Sequence, residues 1–162
     1  MRLTVYTDYA LRLLIYLALK DDGLATIAEI AGAYRISKNH LTKVAYHLGV
    51  GGYVGTVRGR GGGLRLAKPA EKIGLGEVVR RTEPDLALVP CFSPIDAPCA
   101  IRSCCVLRSA LDKARVAFIE VLDSYTVGDL VRSRTPLQAL LAVAPINAMP
   151  ARKTTVGANK GR

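Results

Sequence analysis

The chain has 162 residues, half of them hydrophobic, and carries 23 Lys and Arg against 13 Asp and Glu, a net charge of +10. That length holds one globular domain with a real core, and the apolar share excludes an intrinsically disordered chain. The basic excess points to an anionic partner, nucleic acid first; the plainer reading is a basic surface kept for solubility.

The apolar run at 9–19 is interrupted by Arg12, is too short to span a bilayer and lacks a small-residue cleavage site after it. The expectation is a cytoplasmic protein without membrane association, in a compartment where thiols stay reduced and lasting disulfides are rare.

Residues 5–19 read as the first helix, with Tyr6, Ala10, Leu13, Leu14 and Leu17 at helical spacing. Leu11 and Ile15 add apolar surface on another side, so this helix is expected to be covered on two faces. Thr4 or Thr7 suits its N-cap. Asp8 falls in the first turn with Arg12 four residues later. Read plainly, this is an acid that suits the helix dipole and an ion pair worth roughly a few tenths of a kcal/mol.

A turn at Asp21-Asp22-Gly23 leads to Thr26-Ile27-Ala28-Glu29, a capping-box pattern opening a short helix at 27–33. Tyr34-Arg35-Ile36 connects to Ser37, an N-cap residue for a helix running to about Leu48. Leu41, Val44, Ala45 and Leu48 form its apolar face; Asn39, His40, Lys43, Tyr46 and His47 fall to the other face or its edges. Two helices in this arrangement make a helix-turn-helix pattern, although many unrelated helical pairs share it.

The next segment of the chain strengthens that reading. Two strands, 53–57 and 64–66, flank Arg58-Gly59-Arg60-Gly61-Gly62-Gly63. A glycine-rich turn bearing arginines directly after a helix-turn-helix is a wing. Glycine lets its backbone approach DNA closely, and arginine suits phosphates and narrow minor grooves. A nucleotide-phosphate loop is excluded, because no G-x-x-x-x-G-K-[ST] spacing is present and a strand, not a helix, comes after the glycines. Between residues 35 and 72 the basic residues Arg35, Lys38, Lys43, Arg58, Arg60, Arg65, Lys68 and Lys72 meet one acid, Glu71. Ser37, Asn39, His40 and Lys43 are the candidates for the DNA major groove, and Arg58 and Arg60 for the wing.

A further short helix is expected at 75–82, ending before Pro84. All four cysteines then fall between Pro90 and Cys105, with Pro90, Pro94 and Pro98 keeping most of that stretch out of regular structure. From 106 to about 124 runs the longest helix. Leu107, Leu111, Ala114, Phe118, Val121 and Tyr125 alternate by fours and threes along it, the period of a helix–helix seam. Such a seam serves either the chain's own core or a two-fold dimer, and paired half-sites on DNA favour the dimer. Residues 126–131 add a short turn or helix. The organisation is therefore a winged helix-turn-helix domain at 1–84, a cysteine loop at 85–105, a dimerisation helix with a short C-terminal helix at 106–133, and a disordered basic tail at 134–162. The fold class is mainly α with a small β-hairpin wing.

The cysteines are spaced Cys91-x7-Cys99-x5-Cys105, with Cys104 beside the last. Zinc sites more often offer C-x-x-C pairs and four Cys or His ligands, and His40 and His47 both belong to the reading helix. Three separated thiolates on a stiffened loop suit an iron–sulfur cluster, leaving one iron to another ligand. Zinc, a redox-active thiol set and plain buried thiols stay open on spacing alone. An enzyme is disfavoured, since the sequence offers no paired-carboxylate site and no Ser/His/Asp set.

Several stretches resemble one family: the opening Leu3-Thr4-Val5-Tyr6-Thr7-Asp8-Tyr9-Ala10-Leu11-Arg12, Ile36-Ser37-Lys38-Asn39-His40-Leu41-Thr42-Lys43-Val44, the wing from Val57 to Leu66, and Gly76-Glu77-Val78-Val79-Arg80-Arg81-Thr82-Glu83-Pro84. All look like the Rrf-type winged-helix transcriptional regulators, and among them the nitric-oxide-sensing repressors, over residues 1 to about 132. The resemblance implies a homodimer on a pseudo-palindromic double-stranded DNA operator. It implies one iron–sulfur cluster per subunit, 4Fe-4S with 2Fe-2S as the alternative, whose reaction with nitric oxide relieves repression of detoxification genes. It makes Cys91, Cys99 and Cys105 the ligands and sets Cys104 outside the pattern. It also implies that Asp8 supplies the fourth ligand across the dimer. The rivals are an iron- or cluster-status-responsive repressor of the same architecture and a zinc-stabilised DNA-binding module.

Overall fold

The computed structural model describes residues 2–20, 23–92 and 99–143. Its centre is helix α1 (Val5–Leu19), in which Ala10, Leu13, Leu14, Tyr16, Leu17, Ala18 and Leu19 are buried and Leu11 and Ile15 pack against the core as half-buried residues. The helix is therefore covered on more than one side, as its two apolar stripes require. Thr4 is the cap: its hydroxyl accepts from Thr7 N–H at 3.2 Å. Thr7 is itself fully buried, and its hydroxyl donates to Thr82 Oγ at 2.8 Å, which satisfies it.

Helix α2 (Ile27–Tyr34) opens on the capping box: Thr26 N–H donates to Glu29 at 2.6 Å and Glu29 N–H donates to Thr26 Oγ at 3.2 Å. It closes on Arg35, whose φ of 55° lies in the left-handed region usually left to glycine or asparagine. Ile36 N–H donates back to Ala31 O at 3.0 Å, which completes the tight turn. Helix α3 (Lys38–Val50) comes next, two residues longer than its periodicity suggests. Ser37 occupies the N-cap, but its side chain makes no capping hydrogen bond. Leu41, Val44, Ala45 and Leu48 are buried, as their spacing requires, and α3 packs along α1 and α2.

Strands β1 (Val54–Val57) and β2 (Gly63–Leu66) pair antiparallel, Val54 opposite Leu66 and Val57 opposite Gly63. Ala25, just before α2, adds a bridge to Leu64 through hydrogen bonds of 3.0 and 2.8 Å, so the wing is anchored on both sides. Tyr53 plugs the joint between α3 and the wing. Its hydroxyl donates to Glu77 at 2.8 Å, and burial, then this carboxylate, push its pKa up to about 12.

Helix α4 (Leu75–Thr82) returns across α1, and α5 (Val106–Asp123) is the longest helix. No residue of α5 is buried in this chain. Its C-terminal end is held by α4, where Arg80 grips Asp123 and Gly76 lies against the Asp123 carboxylate. Helix α6 (Val127–Leu130) has its own capping box from Thr126 and Asp129 and buries Val127.

One boundary needs correction. Composition places a disordered tail from residue 134, but Arg134–Leu140 forms helix α7. It docks on the C-terminal carbonyls of α1: Arg134 donates to Ala18 O and Gln138 to Leu19 O, each at 3.0 Å. Leu137 and Leu141 pack on the core and Val143 is buried. Carbonyls left over at a helix end need donors, and α7 supplies them. The expectations for 144–162 lie outside the described residues.

Candidate functional site

Two surfaces carry the chemistry. On the first, Ser37, Lys38, Asn39, His40 and Lys43 are all exposed along the N-terminal half of α3, opposite its buried face. The α3 helix packs against β1, which leads to the wing. At the wing tip Arg58 and Arg60 are exposed and alternate with Gly59 (φ 99°) and Gly61 (φ 79°). Those left-handed φ values are what allow so narrow a turn. The arrangement presents a basic, amide-bearing helix with an arginine-tipped hairpin beside it, fitted to a groove and its phosphates.

The two histidines are not simple solvated side chains. The His40 ring stacks on Tyr9 with centroids 6.1 Å apart and planes inclined by 30°. The His47 ring meets Tyr6 and Tyr46 edge-on, at 5.9 and 5.5 Å. Periodicity places both on the polar side of α3 without revealing Tyr6 and Tyr9 as partners, because ring contacts between separate helices leave no local sequence signal.

The second surface begins where α4 ends. Glu83 accepts from Thr4 N–H at 2.8 Å and from the Thr4 hydroxyl at 3.0 Å, tying the start of α1 to the end of α4, just before the cysteine segment. Asp8, one turn into α1, receives Arg12 Nε–H on Oδ1 at 2.9 Å, with both side chains a little under half exposed. The Arg12 guanidinium also lies over the Tyr34 ring at 5.7 Å, and burial raises the Tyr34 pKa to about 12 despite that cation.

Cys91 sits half-buried in a 3-10 turn at Pro90–Phe92, and Cys99 is exposed. Cys104 is exposed in a second 3-10 turn, Arg102–Cys104, with its thiol 3.6 Å from Ile101 O. Cys105 is half-buried at the N-cap of α5, where its sulfur accepts from Arg108 N–H at 3.4 Å. That position places the sulfur at the N-terminal end of an 18-residue helix. Phe92 lies against the Arg108 guanidinium at 5.6 Å, so the Cys91 turn leans on the first turn of α5. None of the four thiols is in a disulfide. As a donor set, three separated free thiols on turns fit a thiolate-ligated iron–sulfur cluster. Among the described residues, no three Cys, His, Asp or Glu are gathered around a metal-sized space. Residues 93–98, between Cys91 and Cys99, lie outside the described part.

A reading helix, an arginine-tipped wing, and a thiol-bearing segment joined to both through α4 and α1 define a winged-helix transcriptional regulator. The family model for Rrf2, described as iron-dependent transcriptional regulator, matches residues 3–133. This chain belongs to the Rrf2 family. It is 51% identical over 142 residues to the HTH-type transcriptional regulator NsrR of Bacillus subtilis, covering 87% of this chain and 97% of that one. It is 48% identical to NsrR of Halalkalibacterium halodurans, covering 90% of this chain and all of the relative. Among solved structures it is similar to CymR of B. subtilis, the global cysteine regulator, at 26% identity and a TM-score of 0.67 over 82% of this chain and 98% of the other.

Proposed function

We propose that this protein is a cytoplasmic, homodimeric repressor that binds a pseudo-palindromic operator while Cys91, Cys99 and Cys105 hold an iron–sulfur cluster, and that nitric oxide is its signal. The observation that carries this reading is the tie between the end of α4, from which the thiol-bearing segment departs, and the reading head, through Glu83 and Thr4 to α1, and from α1 to α3. The identity of about half the residues to NsrR proteins supports the repressor type and the nitric oxide signal. Among the described residues no helix is long and apolar enough to cross a membrane.

When bound, an iron–sulfur cluster supplies iron that reacts with small redox-active molecules, with thiolates as its soft ligands. The protein's part is mechanical. Cys91, Cys99 and Cys105 would hold the cluster, and Asp8 of the partner subunit would add a hard carboxylate ligand that thiolate-bound iron holds weakly. While Asp8 is held, α1 is fixed at its N-terminal end, and with it the spacing of the two α3 helices. Without that hold Asp8 would keep only its contact with Arg12, and the spacing would be free to relax. A coupling of about 1–3 kcal/mol is enough for such a switch. Ser37, Asn39, His40 and Lys43 read the major groove, and Arg58 and Arg60 hold the flanking phosphates or minor groove.

A second reading is favoured by the family description as iron-dependent: the same protein reporting iron or cluster status rather than nitric oxide. Purification without air, followed by iron and acid-labile sulfide analysis and a nitric oxide titration of DNA binding, separates the two. The duplex is one enriched from a random pool by the loaded protein. The proposal expects iron and sulfide in the protein and DNA release at a few nitric oxide molecules per cluster. Release by an iron chelator but not by nitric oxide supports the second reading. Colourless protein containing zinc, or protein free of iron that binds the same duplex unaltered, overturns both.

A further inference from the structure

We infer that Tyr6 and Tyr9 form a two-point clamp that sets the position of the reading helix, and that this clamp is the route by which the state of Asp8 reaches the DNA. The inference rests on the function proposed above and names the residues that carry its signal.

The geometry is specific. Tyr6 and Tyr9 lie three residues apart on α1, with Asp8 between them in sequence. Their rings meet His47 and His40, which lie seven residues apart on α3. Seven residues are about two helical turns, roughly 10 Å along the axis, so the contacts fix the tilt and the slide of α3 together. One of them ends on His40, a residue of the groove-facing half. A displacement of the first turns of α1 therefore cannot leave both contacts unchanged.

The joint also has room to move. Between the two contact points lies a recess of about 230 Å³ lined by Val5, Tyr6, Tyr9, His40, Lys43 and Val44. A second recess, of about 300 Å³, borders Tyr6, His47, Arg81 and Thr82. The Tyr6 hydroxyl is buried with no hydrogen-bond partner among the described residues. A buried donor without an acceptor marks an arrangement that is not fully satisfied. A second setting of α1 that gave this hydroxyl a partner would carry α3 with it through the two ring contacts. Close-packed interfaces have discrete alternative packings rather than a continuum, and that is what a switch needs.

The test uses the full chain, prepared without air, and a duplex enriched from a random pool by the cluster-loaded wild type. The quantity is the ratio of dissociation constants for cluster-free and cluster-loaded protein. Tyr9→Leu, which keeps apolar bulk but loses the stack on His40, should narrow that ratio by about tenfold, within the range of ordinary coupling factors. Iron content, visible spectrum and the salt dependence of binding should match the wild type, since no ligand and no phosphate contact is lost. Tyr9→Phe should restore the wild-type ratio. Amide exchange across Lys38–Val50 should differ between loaded and cluster-free wild type and be equalised in Tyr9→Leu. Should Tyr9→Leu fail to fold, Tyr6→Leu removes the other contact and carries the same expectation. A wild-type ratio and wild-type exchange in the variant overturn the clamp alone. A wild type whose affinity is indifferent to the cluster overturns the proposed function, and the clamp with it.

Discussion

Asp123, the last residue of α5, lies flat against Gly76 on α4, where an added Cβ would stand 2.8 Å from its Cγ and 3.2 Å from its backbone nitrogen. The same carboxylate accepts from both terminal nitrogens of Arg80, at 2.6 and 3.0 Å. It cannot swing aside without losing that fork. The longest helix is thus oriented on the winged domain at its C-terminal end, by a glycine that lets it come close and an arginine that holds it there.

Gly76→Ala sets two effects against each other. Alanine gains about 1 kcal/mol of helix propensity, whereas the overlap with Asp123 costs about 1–3 kcal/mol. Overlap should win, because the atoms in the way include backbone. The expected result is a lower Tm in the single variant and partial recovery in Gly76→Ala combined with Asp123→Ala, measured by thermal unfolding.

Acid should weaken the fold through two aspartates. The Arg80 fork lowers the pKa of Asp123, and the Thr126 backbone N–H, the Thr126 hydroxyl and Arg132 lower that of Asp129. An unfolded aspartate titrates at about 3.9, so below about pH 5 the unfolded chain begins to bind protons that the native one refuses. The stability from these groups is fully present above that range and is lost as pH falls through the lower native values. Tm should therefore be flat with respect to these groups at neutral pH and fall towards pH 3. Asp129→Asn should lower Tm at pH 7 and shallow the acid limb; an unchanged acid limb would remove Asp129 from this account.

The elements from α1 to α4 are legible in the sequence because each carries its own local signal. The Thr26 capping box, the Leu41-Val44-Ala45-Leu48 stripe and the Gly-Arg alternation of the wing act within a few residues of themselves, and the structure adheres to them closely. The features that sequence reasoning misses are long-range. Helix α7 is hidden because its loose composition reads as tail, whereas what orders it is the pair of carbonyls on Ala18 and Leu19 more than a hundred residues away. The Thr4–Glu83 tie and the tyrosine–histidine contacts are hidden in the same way. For the cysteines, spacing and chemistry are readable in the sequence.

Arg35 offers a test of the helix-turn-helix connection. Its φ of 55° costs an L-residue roughly 1–2 kcal/mol, while glycine there gives back about 0.4–1 kcal/mol in unfolded-state entropy. Arg35→Gly should therefore raise stability by about 0–1.6 kcal/mol in denaturant melts. A clear loss would mean that the Arg35 side chain holds the turn by contacts of its own.

The wing arginines should behave as phosphate contacts. Arg58→Ala and Arg60→Ala, both at exposed positions on the tip, should each lower the slope of log affinity against log salt by about one and weaken binding alike across sequences. Loss of discrimination at particular A·T steps, with the slope unchanged, would instead mark insertion into the minor groove.

The exposed face of α5 is the last feature that demands a partner. Leu107 is 65% exposed, Val121 59% and Tyr125 49%, although all three lie on the alternating four-and-three stripe. Leu111 and Phe118, also on that stripe, are only half-buried. Burying one such side chain is worth about 1.5–3 kcal/mol, so a stripe of them left in water is a strong drive towards a second copy. A helix of 18 residues is about 27 Å long, ample for a two-fold seam. If the stripe is that seam, Leu107→Glu and Val121→Glu together should convert a dimer into a monomer in sedimentation at micromolar concentration. The winged domain should stay folded, because neither side chain belongs to its core, and affinity for a two-half-site duplex should fall far more than affinity for a single half-site. A variant that still sediments as a dimer would place the interface elsewhere and leave this stripe without its explanation.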